Sequence, residues 1–211
     1  MIAKLHYISQ ETGEKGHLEN IDEACAAGVN WVQLRVKDKP VEEIERMALG
    51  ARAICELYGT RLIINDHVEI ARSIGADGVH LGKEDIAPDE ARKILGQDAI
   101  IGGTANSLDD IRELIKAGVD YIGLGPYRFT STKQKLSPVL GLEGYKHLMS
   151  ELTKMQIQIP VVAIGGIQVS DIPPILNTGI YGVAVASLIN NAPNKKEITL
   201  QILNRLKNGK S

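Results

Sequence analysis

Only two cysteines occur in the 211-residue sequence, and neither has the spacing of a metal-binding motif. Cys25 and Cys55 lie in segments with a helical pattern, so we expect buried thiols in a reducing cytoplasm. No run approaches the roughly 20 apolar residues of a membrane span. The first residues, Met-Ile-Ala-Lys-Leu-His-Tyr, contain no extended apolar core, so we expect no signal peptide.

The formal charges nearly cancel, leaving a net charge of −2. This gives no electrostatic reason to expect nucleic acid or an anionic membrane as a partner. Linkers and low-complexity segments are absent from the sequence, so one domain covering residues 1–211 is the simplest interpretation. No Ser-His-Asp or Cys-His arrangement stands out for nucleophilic catalysis. The sequence leaves the oligomeric state open.

A short unit recurs four times along the chain. In each copy a glycine follows a helical pattern and precedes a run rich in β-forming residues. The glycine supplies the positive φ of a helix C-cap, and the run that follows indicates a buried strand. The copies, of which the last is the least regular, are Ala27–Leu34, Ile74–Leu81, Ala117–Leu124 and Thr178–Val185.

Four further strands are predicted in the gaps, and helical patterns separate all eight. These strands are Leu5–Ser9, Arg61–Asn65, Ala99–Gly103 and Pro160–Ile164. The helical patterns lie near residues 19–27, 41–58, 67–74, 88–95, 107–117, 143–154, 171–178 and 196–207. Ser107 followed by Asp110, and Ser170 before Asp171-Ile172-Pro173, resemble helix starts. Strict alternation favours an α/β fold whose parallel sheet closes into a (β/α)8 TIM barrel, and a doubly wound open sheet is the alternative.

Residues 31–37, Trp-Val-Gln-Leu-Arg-Val-Lys, alternate apolar and polar side chains. Alternate side chains of a strand share a face, so Gln33, Arg35 and Lys37 point one way. Burying unpaired cations is costly. We therefore predict that an anionic group meets this polar row, and a solvated strand edge is the alternative.

In (β/α)8 barrels the active site forms at the C-terminal ends of the strands. This rule gathers a set of polar and glycine residues at one mouth. After the second to fifth strands they are Gln33, Arg35, Lys37, Asn65, Asp66, His67, His80, Gly82, Lys83, Asp85, Thr104 and Asn106, and after the later strands Gly125, Thr130, Thr132, Lys133, Gly165, Gly166 and Ser187. His80 stands between Val79 and Leu81, which predicts a core position rather than a catalytic one.

Asp66 and Asp85 follow neighbouring strands. Mg²⁺ is usually held by one or two carboxylates together with substrate phosphate oxygens. Each Asp could instead cap the helix that follows it. Because the two occur together beside Arg35 and Lys37, we predict a metal site.

Two other segments have the composition of phosphate sites. Gly165-Gly166-Ile167 lets backbone approach a ligand, and Ser187 adds a hydroxyl, although a tight turn also explains the glycines. Thr130-Ser131-Thr132-Lys133 adds hydroxyls and a cation, within a long segment, Tyr127–Leu142, that suggests a lid. The cations and metal suit a pyrophosphate, whereas the glycines and hydroxyls suit a monophosphate.

In this order, these motifs resemble those of the thiamine-phosphate synthase family. The family pattern contains Gln-x-Arg-x-Lys, Asn-Asp, His-x-Gly-Gln-x-Asp, Gly-Pro followed by Thr-x-Thr-Lys, and Gly-Gly-Ile. The corresponding segments here are Gln33–Lys37, Asn65-Asp66, His80–Asp85, Gly125-Pro126 with Thr130–Lys133, and Gly165–Ile167, which together span nearly the whole chain.

The resemblance implies an enzyme that joins hydroxymethylpyrimidine diphosphate to hydroxyethylthiazole phosphate, giving thiamine phosphate and pyrophosphate. It implies that Asp66 and Asp85 hold Mg²⁺. The residues implied for the pyrimidine diphosphate are Gln33, Arg35, Lys37, Asn65, Thr104 and Lys133. Those implied for the thiazole phosphate are Thr130, Thr132, Gly166, Ala186 and Ser187. Of these, Arg35, Lys37 and Lys133 are expected to promote departure of pyrophosphate.

The sequence departs from the family pattern at three positions. Lys83 replaces the usual Gln, and it suits either an extra cation for pyrophosphate or a pair for Glu84. Thr104 replaces Ser and keeps the hydroxyl. Asn106 stands where thiazole tautomerases of the same superfamily use a His for proton transfer, which argues against that rival activity. A non-catalytic sensor of thiamine-pathway phosphates is a second alternative, but the metal carboxylates and Lys133 that it would lose are present.

Overall fold

The computed structural model of the chain describes residues 1–13, 15–129 and 138–208. Its eight strands are all parallel and close into a barrel, each pairing with the next in sequence. They are β1 (Leu5–Ile8), β2 (Trp31–Leu34), β3 (Arg61–Asn65), β4 (Gly78–Leu81), β5 (Ile100–Ala105), β6 (Tyr121–Leu124), β7 (Val161–Ile164) and β8 (Gly182–Val185). The ring is closed by β1 against β8, with Leu5 opposite Val183. The barrel prediction is confirmed, and the open-sheet alternative is wrong.

Helices follow the strands around the outside of the barrel. They are α1 (His17–Ala26), α2 (Val41–Tyr58), α3 (Val68–Ser73), α4 (Pro88–Leu95), α5 (Leu108–Lys116), α6 (Gly141–Lys154), α7 (Ile172–Leu176), α8 (Ser187–Asn190) and α9 (Lys195–Asn208). The predicted α2 and α4 match at both ends. The sequence did not predict α8, whose four residues are too few to show a helical period. None of the helices in the described residues combines the length and apolar character needed to cross a bilayer.

The repeated glycines have the positive φ that the sequence predicted for them. Gly28, Gly75, Gly118 and Gly179 all have positive φ, between 62° and 98°. Each lies between a helix and the strand that follows it, in a backbone conformation that a side chain with a Cβ disfavours. The repeat is therefore a series of helix stops that return the chain to the sheet.

The two predicted helix starts had different outcomes. Ser107 caps α5, because its Oγ accepts a hydrogen bond from Asp110 N at 3.2 Å and the Asp110 carboxylate accepts one from Ser107 N at 2.9 Å. Ser170 is not a cap, and that prediction is wrong. It lies within a short 3-10 turn, Val169–Asp171, and the Asp171 carboxylate accepts the Gln168 N–H at 2.8 Å instead.

The strands are buried on both faces, as in a barrel ringed by helices. Outward side chains such as Val32 and Leu34 pack against the helices in the main apolar core. Inward side chains form a separate cluster that includes Trp31, Ile63 and Tyr121. Because side chains alternate along each strand, the inward set near the C-terminal ends is the set that can form a site.

The floor of the barrel interior is aromatic. His6 stacks on Trp31 with ring centroids 4.4 Å apart, and Tyr121 meets both rings edge-on. Gly102 makes room for Tyr121, since a Cβ there would lie 2.2 Å from the tyrosine ring. A filled floor means that ligands can enter only from the opposite end.

Acid should weaken the fold through His6. Burial lowers the pKa of His6 to about 3, so the folded protein keeps this ring neutral while the unfolded chain protonates it near its ordinary pKa of 6.5. Stability from this residue is present above pH 6.5 and is lost as the pH falls, by about 2 kcal/mol of unfolding free energy at pH 5. Urea unfolding above pH 6.5 and at pH 5 measures this effect. Between the two conditions, the unfolding free energy should fall less for His6→Asn than for the wild type. Equal losses would contradict the assignment.

Candidate active site

The polar row of the second strand continues past the end of β2. Val36 is buried in the same core cluster as Val32 and Leu34, so the alternation extends two residues beyond the hydrogen-bonded strand. Arg35 is half-buried and lies against a cavity at the mouth, and Lys37 is exposed there. The backbone N–H of Arg35 donates to Ser9 Oγ at 3.1 Å, which fixes where this row leaves the strand.

Gln33 and Asn65 form a buried amide pair on adjacent strands. Gln33 Nε2 donates to Asn65 Oδ1 at 2.9 Å. Among the described residues, Asn65 Nδ2 is a buried donor that has no hydrogen-bond acceptor. A buried donor without a partner costs free energy. This orphaned donor lies next to Asp66, at the end of β3 that faces the mouth.

Asp66 is held in an unusual backbone conformation. Its φ of 65° lies in the left-handed region, which non-glycine residues occupy at a cost and most often at functional sites. Its carboxylate contacts the ammonium of Lys37. The next helix, α3, begins at Val68, so His67 and not Asp66 holds its N-cap position. No side chain makes a capping hydrogen bond there. The helix-cap alternative is therefore wrong for Asp66.

Asp85 also has a role other than capping. Its carboxylate accepts the Gly82 N–H at 2.6 Å, and α4 begins after Ala87 without a side-chain cap. Burial and a hydrogen bond with Asp66 raise the pKa of Asp85. Burial opposes ionisation of Asp66 as well, but its hydrogen bond with Asp85 and its pairing with Lys37 hold the pKa of Asp66 below its usual value.

This carboxylate pair fits a magnesium site. Two like charges this close require a proton or a cation between them. Mg²⁺ takes one or two carboxylates from the protein and completes its shell with water and substrate oxygens. Within residues 1–13, 15–129 and 138–208, no cluster of three or more metal-ligating side chains occurs. The donor set therefore suits a substrate-bridged Mg²⁺ better than a metal enclosed by protein alone.

His80 links the aromatic floor to the mouth. Its Nδ1 lies 3.0 Å from Tyr121 Oη, and its Nε2 lies 3.0 Å from Thr104 Oγ1. Gly123 leaves space for the ring, because a Cβ there would lie 3.0 Å from His80 Cε1. The imidazole is buried, as predicted, and it orients the Thr104 hydroxyl at the mouth.

Two of the three departures from the family pattern meet at one carboxylate. Lys83 Nζ lies 2.7 Å from Asp110 Oδ2, and the same oxygen accepts the Asn106 N–H at 2.8 Å. The Asn106 side chain donates onward to the Gly125 carbonyl. Lys83 is thus an ion-pair partner of Asp110, and the network ties the ends of β4, β5 and β6 together. Sequence reasoning saw Asp110 only as a capping residue.

A cavity of about 740 Å³ opens at the mouth of the barrel. Its wall includes Arg35, Gly165, Gly166, Ala186 and Ser187. Gly166 and Ser187 are exposed at the mouth, on the loops after β7 and β8. These loops form a common phosphate site in this type of barrel. The structure thus brings the predicted glycine and serine residues to one wall of a ligand-sized space.

Part of the predicted site lies outside the described residues. Thr130, Thr132 and Lys133 fall in residues 130–137, outside the described residues, as does the middle of the predicted lid, Tyr127–Leu142. At the near end of that segment, Arg128 pairs with Asp171, a contact that sequence reasoning missed. The two residues lie far apart in the sequence, so no local pattern could have revealed their contact.

Comparison with known proteins gives a consistent result. A family model described as thiamine monophosphate synthase matches residues 5–189. The thiamine-phosphate synthase of Phocaeicola vulgatus is 48% identical over 95% of this chain and 97% of its own length. That of Bacteroides fragilis is 47% identical over 95% of this chain and 98% of its own length. The structure of the Pyrococcus furiosus thiamine phosphate pyrophosphorylase superposes with a TM-score of 0.84 at 31% identity, covering 99% of this chain and 97% of that one. The chain belongs to the thiamine monophosphate synthase family.

Proposed function

We propose that this chain is a thiamine-phosphate synthase, which joins hydroxymethylpyrimidine diphosphate to hydroxyethylthiazole phosphate and releases pyrophosphate. Relatives named for this activity match almost the whole chain at 48% and 47% identity. The observation that carries the proposal is the cluster of Lys37, Asp66 and Asp85, on the same mouth of the barrel as the cavity that Arg35 lines. Cations next to paired carboxylates suit a metal-bound diphosphate.

The diphosphate would lie at the side of the mouth formed by β2 and β3. Arg35 and Lys37 are the cations there, with Lys133 expected from beyond β6. The amides of Gln33 and Asn65 and the hydroxyl of Thr104 would bind the rest of the substrate. The orphaned Nδ2 of Asn65 supports this arrangement, since a substrate atom would supply the acceptor that the protein does not.

Asp66 and Asp85 would hold Mg²⁺. When bound, the ion supplies positive charge that neutralises the diphosphate leaving group. Lys37 contacts Asp66 directly, so one ammonium adjoins both the proposed metal ligands and the proposed leaving group.

The thiazole phosphate would occupy the cavity wall formed after β7 and β8. Gly166, Ala186 and Ser187 lie there. Thr130 and Thr132 are expected to complete this phosphate site. The second substrate would then sit across the mouth from the cations, with its ring nitrogen facing the reacting carbon.

The proposed reaction is dissociative. The bond between the pyrimidine methylene carbon and the diphosphate oxygen breaks with both electrons leaving on pyrophosphate, and the thiazole nitrogen then donates its pair to the carbocation. No general base is needed, and this fits a mouth rich in cations. A cation about 4 Å from a phosphate oxygen contributes about 4 kcal/mol at an effective dielectric near 20. Arg35, Lys37 and Lys133 could therefore supply most of the leaving-group stabilisation together with the metal.

The direct test is to incubate the purified protein with both substrates and Mg²⁺ and to measure thiamine phosphate by chromatography. Product should require both substrates and should disappear in excess EDTA. Absence of product from folded protein would refute the proposal. Isomerisation of a thiazole carboxylate without condensation would instead favour the tautomerase alternative. Against that alternative, Asn106 is an amide engaged with the Gly125 carbonyl and cannot transfer a proton as an imidazole does.

Replacing Lys83 should have a small effect on this activity. Lys83 is half exposed and its charge is already matched by Asp110. Lys83→Gln should therefore lower kcat/KM less than about tenfold, chiefly through KM, because no cation is withdrawn from the leaving group. Steady-state kinetics at saturating Mg²⁺ measure this. A large fall in kcat would show that Lys83 leaves Asp110 to bind pyrophosphate.

We also propose a cytoplasmic, reducing location. Cys25 and Cys55 are both free and buried, as expected where thiols stay reduced.

A further inference from the structure

The loops after β6 and β7 are joined by backbone hydrogen bonds beyond the ends of their strands. Tyr127 N donates to the Ile164 carbonyl at 2.8 Å, and Arg128 N donates to the Gly165 carbonyl at 3.0 Å. Gly165 and Gly166 both have positive φ. A Cβ on Gly166 would lie 2.9 Å from Arg128 Cβ, so the two loops approach closely at this point.

The side chain of Arg128 extends this junction. Its Nη1 donates to the Gly166 carbonyl at 3.0 Å, and its Nη2 donates to Asp171 Oδ1 at 2.7 Å. Nη1 also contacts Asp171 Oδ2, so the carboxylate receives both arms of the guanidinium. Asp171 is buried and additionally accepts the Gln168 N–H. One arginine therefore spans the turn, fixed in place by a buried carboxylate.

This arrangement determines where the N–H groups of the turn point. In a trans peptide the carbonyl and the N–H face opposite ways. Arg128 holds the carbonyls of Gly165 and Gly166, so the N–H groups of Gly166 and Ile167 face away from Arg128. Among the described residues, neither N–H has a backbone acceptor. Successive free N–H groups in such a turn form an anion-binding concavity.

We infer that Arg128 is a positioning residue, which presents the Gly166 and Ile167 N–H groups to the phosphate of the thiazole substrate. Asp171 neutralises the guanidinium and fixes its direction, so Arg128 acts through the turn and does not bind the phosphate itself. The inference rests on the proposed function for the identity of the phosphate. It adds Arg128 and Asp171, at the junction of two loops, as residues that determine the affinity for thiazole phosphate but not the affinity for pyrimidine diphosphate.

A matched control exists at the opposite end of the barrel. Arg92 also bridges backbone carbonyls and a carboxylate: its Nη2 donates to Gly118 O at 3.3 Å and to Asp120 Oδ2 at 2.8 Å. Asp120 in turn accepts the Ile101 N–H at 2.7 Å. Because this second bridge joins the N-terminal ends of strands, its loss should reduce stability without altering either substrate site.

The test compares Arg128→Ala with Arg92→Ala. Arg128→Ala should raise KM for thiazole phosphate by about 10- to 100-fold, with less than about a twofold change in KM for pyrimidine diphosphate and less than about a threefold change in kcat. Arg128→Lys should have a KM for thiazole phosphate between those of the wild type and Arg128→Ala, because one ammonium cannot hold both Asp171 and the Gly166 carbonyl. Millimolar guanidinium should partly restore the affinity of Arg128→Ala. Arg92→Ala should lower Tm while leaving both KM values unchanged.

Equal changes in both KM values for Arg128→Ala, or no change in either, would overturn the inference. If Arg128→Ala fails to fold, Asp171→Asn decides the matter through the same KM selectivity. Calorimetric titration of thiazole phosphate into each variant separates the two proposals. Wild-type protein that binds this ligand but makes no thiamine phosphate contradicts the proposed function, whereas unchanged binding by Arg128→Ala contradicts only the role of Arg128.

Discussion

Asp66→Ala is expected to lower kcat by at least about 10³-fold while leaving a folded barrel, because it removes one of two carboxylates for Mg²⁺ and the partner of Lys37. Alanine must also adopt the left-handed φ of 65°, at a cost of about 1–2 kcal/mol. Turnover with both substrates across a Mg²⁺ titration, together with thermal unfolding, measures the two effects separately.

Asp66→Gly is the matched control for this experiment. Glycine accepts the left-handed backbone without strain, so this variant should be more stable than Asp66→Ala but equally inactive. Recovery of activity in Asp66→Gly would show that the backbone, and not the carboxylate, matters. Full wild-type activity in excess EDTA would refute the assignment of Asp66 and Asp85 to Mg²⁺.

Lys37→Ala is expected to lower kcat by roughly 10²–10³-fold, because about 3–4 kcal/mol of transition-state stabilisation is lost with the ammonium. Lys37 is half exposed at the mouth and contacts Asp66, so its removal should disturb the fold little. Single-turnover rates at saturating substrates and Mg²⁺ measure the chemical step directly.

Lys39→Ala provides the comparison for Lys37. Lys39 lies two residues further along, but its Nζ lies 3.1 Å from Glu43 Oε1, on the following helix. It should therefore retain near-normal kcat, which excludes a general effect of lost positive charge. Near-normal kcat in Lys37→Ala would show that the row of Gln33, Arg35 and Lys37 does not face the leaving group.

The barrel could be predicted from the sequence because its signals are local. Gly28 or Gly118 alone indicates the end of a helix, and the apolar run that follows it predicts a strand. The alternation of Val32, Leu34 and Val36 likewise determines which face each residue occupies, even where the regular strand has ended. By contrast, α8 is too short to have a period. Ser170 lies inside a 3-10 turn, and there the Asp171 carboxylate, not the serine, accepts the Gln168 N–H.

The candidate site was predictable residue by residue but not contact by contact. Motifs named Asp66, Asp85 and Lys37, yet their mutual contacts depend on which strand ends become neighbours after closure. The pairing of Lys83 with Asp110 illustrates the same limit. From the sequence, Lys83 suited either pyrophosphate or Glu84, and Asp110 was only part of a helix start. Their pairing depends on the closed barrel, which brings them together.

The seam between β1 and β8 has a consequence for the nascent chain. The partner of Leu5 in β1 is Val183 in β8, the last strand of the chain. The ring therefore cannot close until almost the whole sequence has left the ribosome. Until then β1 has one unpaired edge, and each newly added strand presents another. Such edges invite pairing with other chains. When β8 emerges and pairs with β1, no strand edge stays exposed to other chains. The same pairing completes the wall that carries Ser187, so protection from edge pairing and the ability to bind ligands arise in one step.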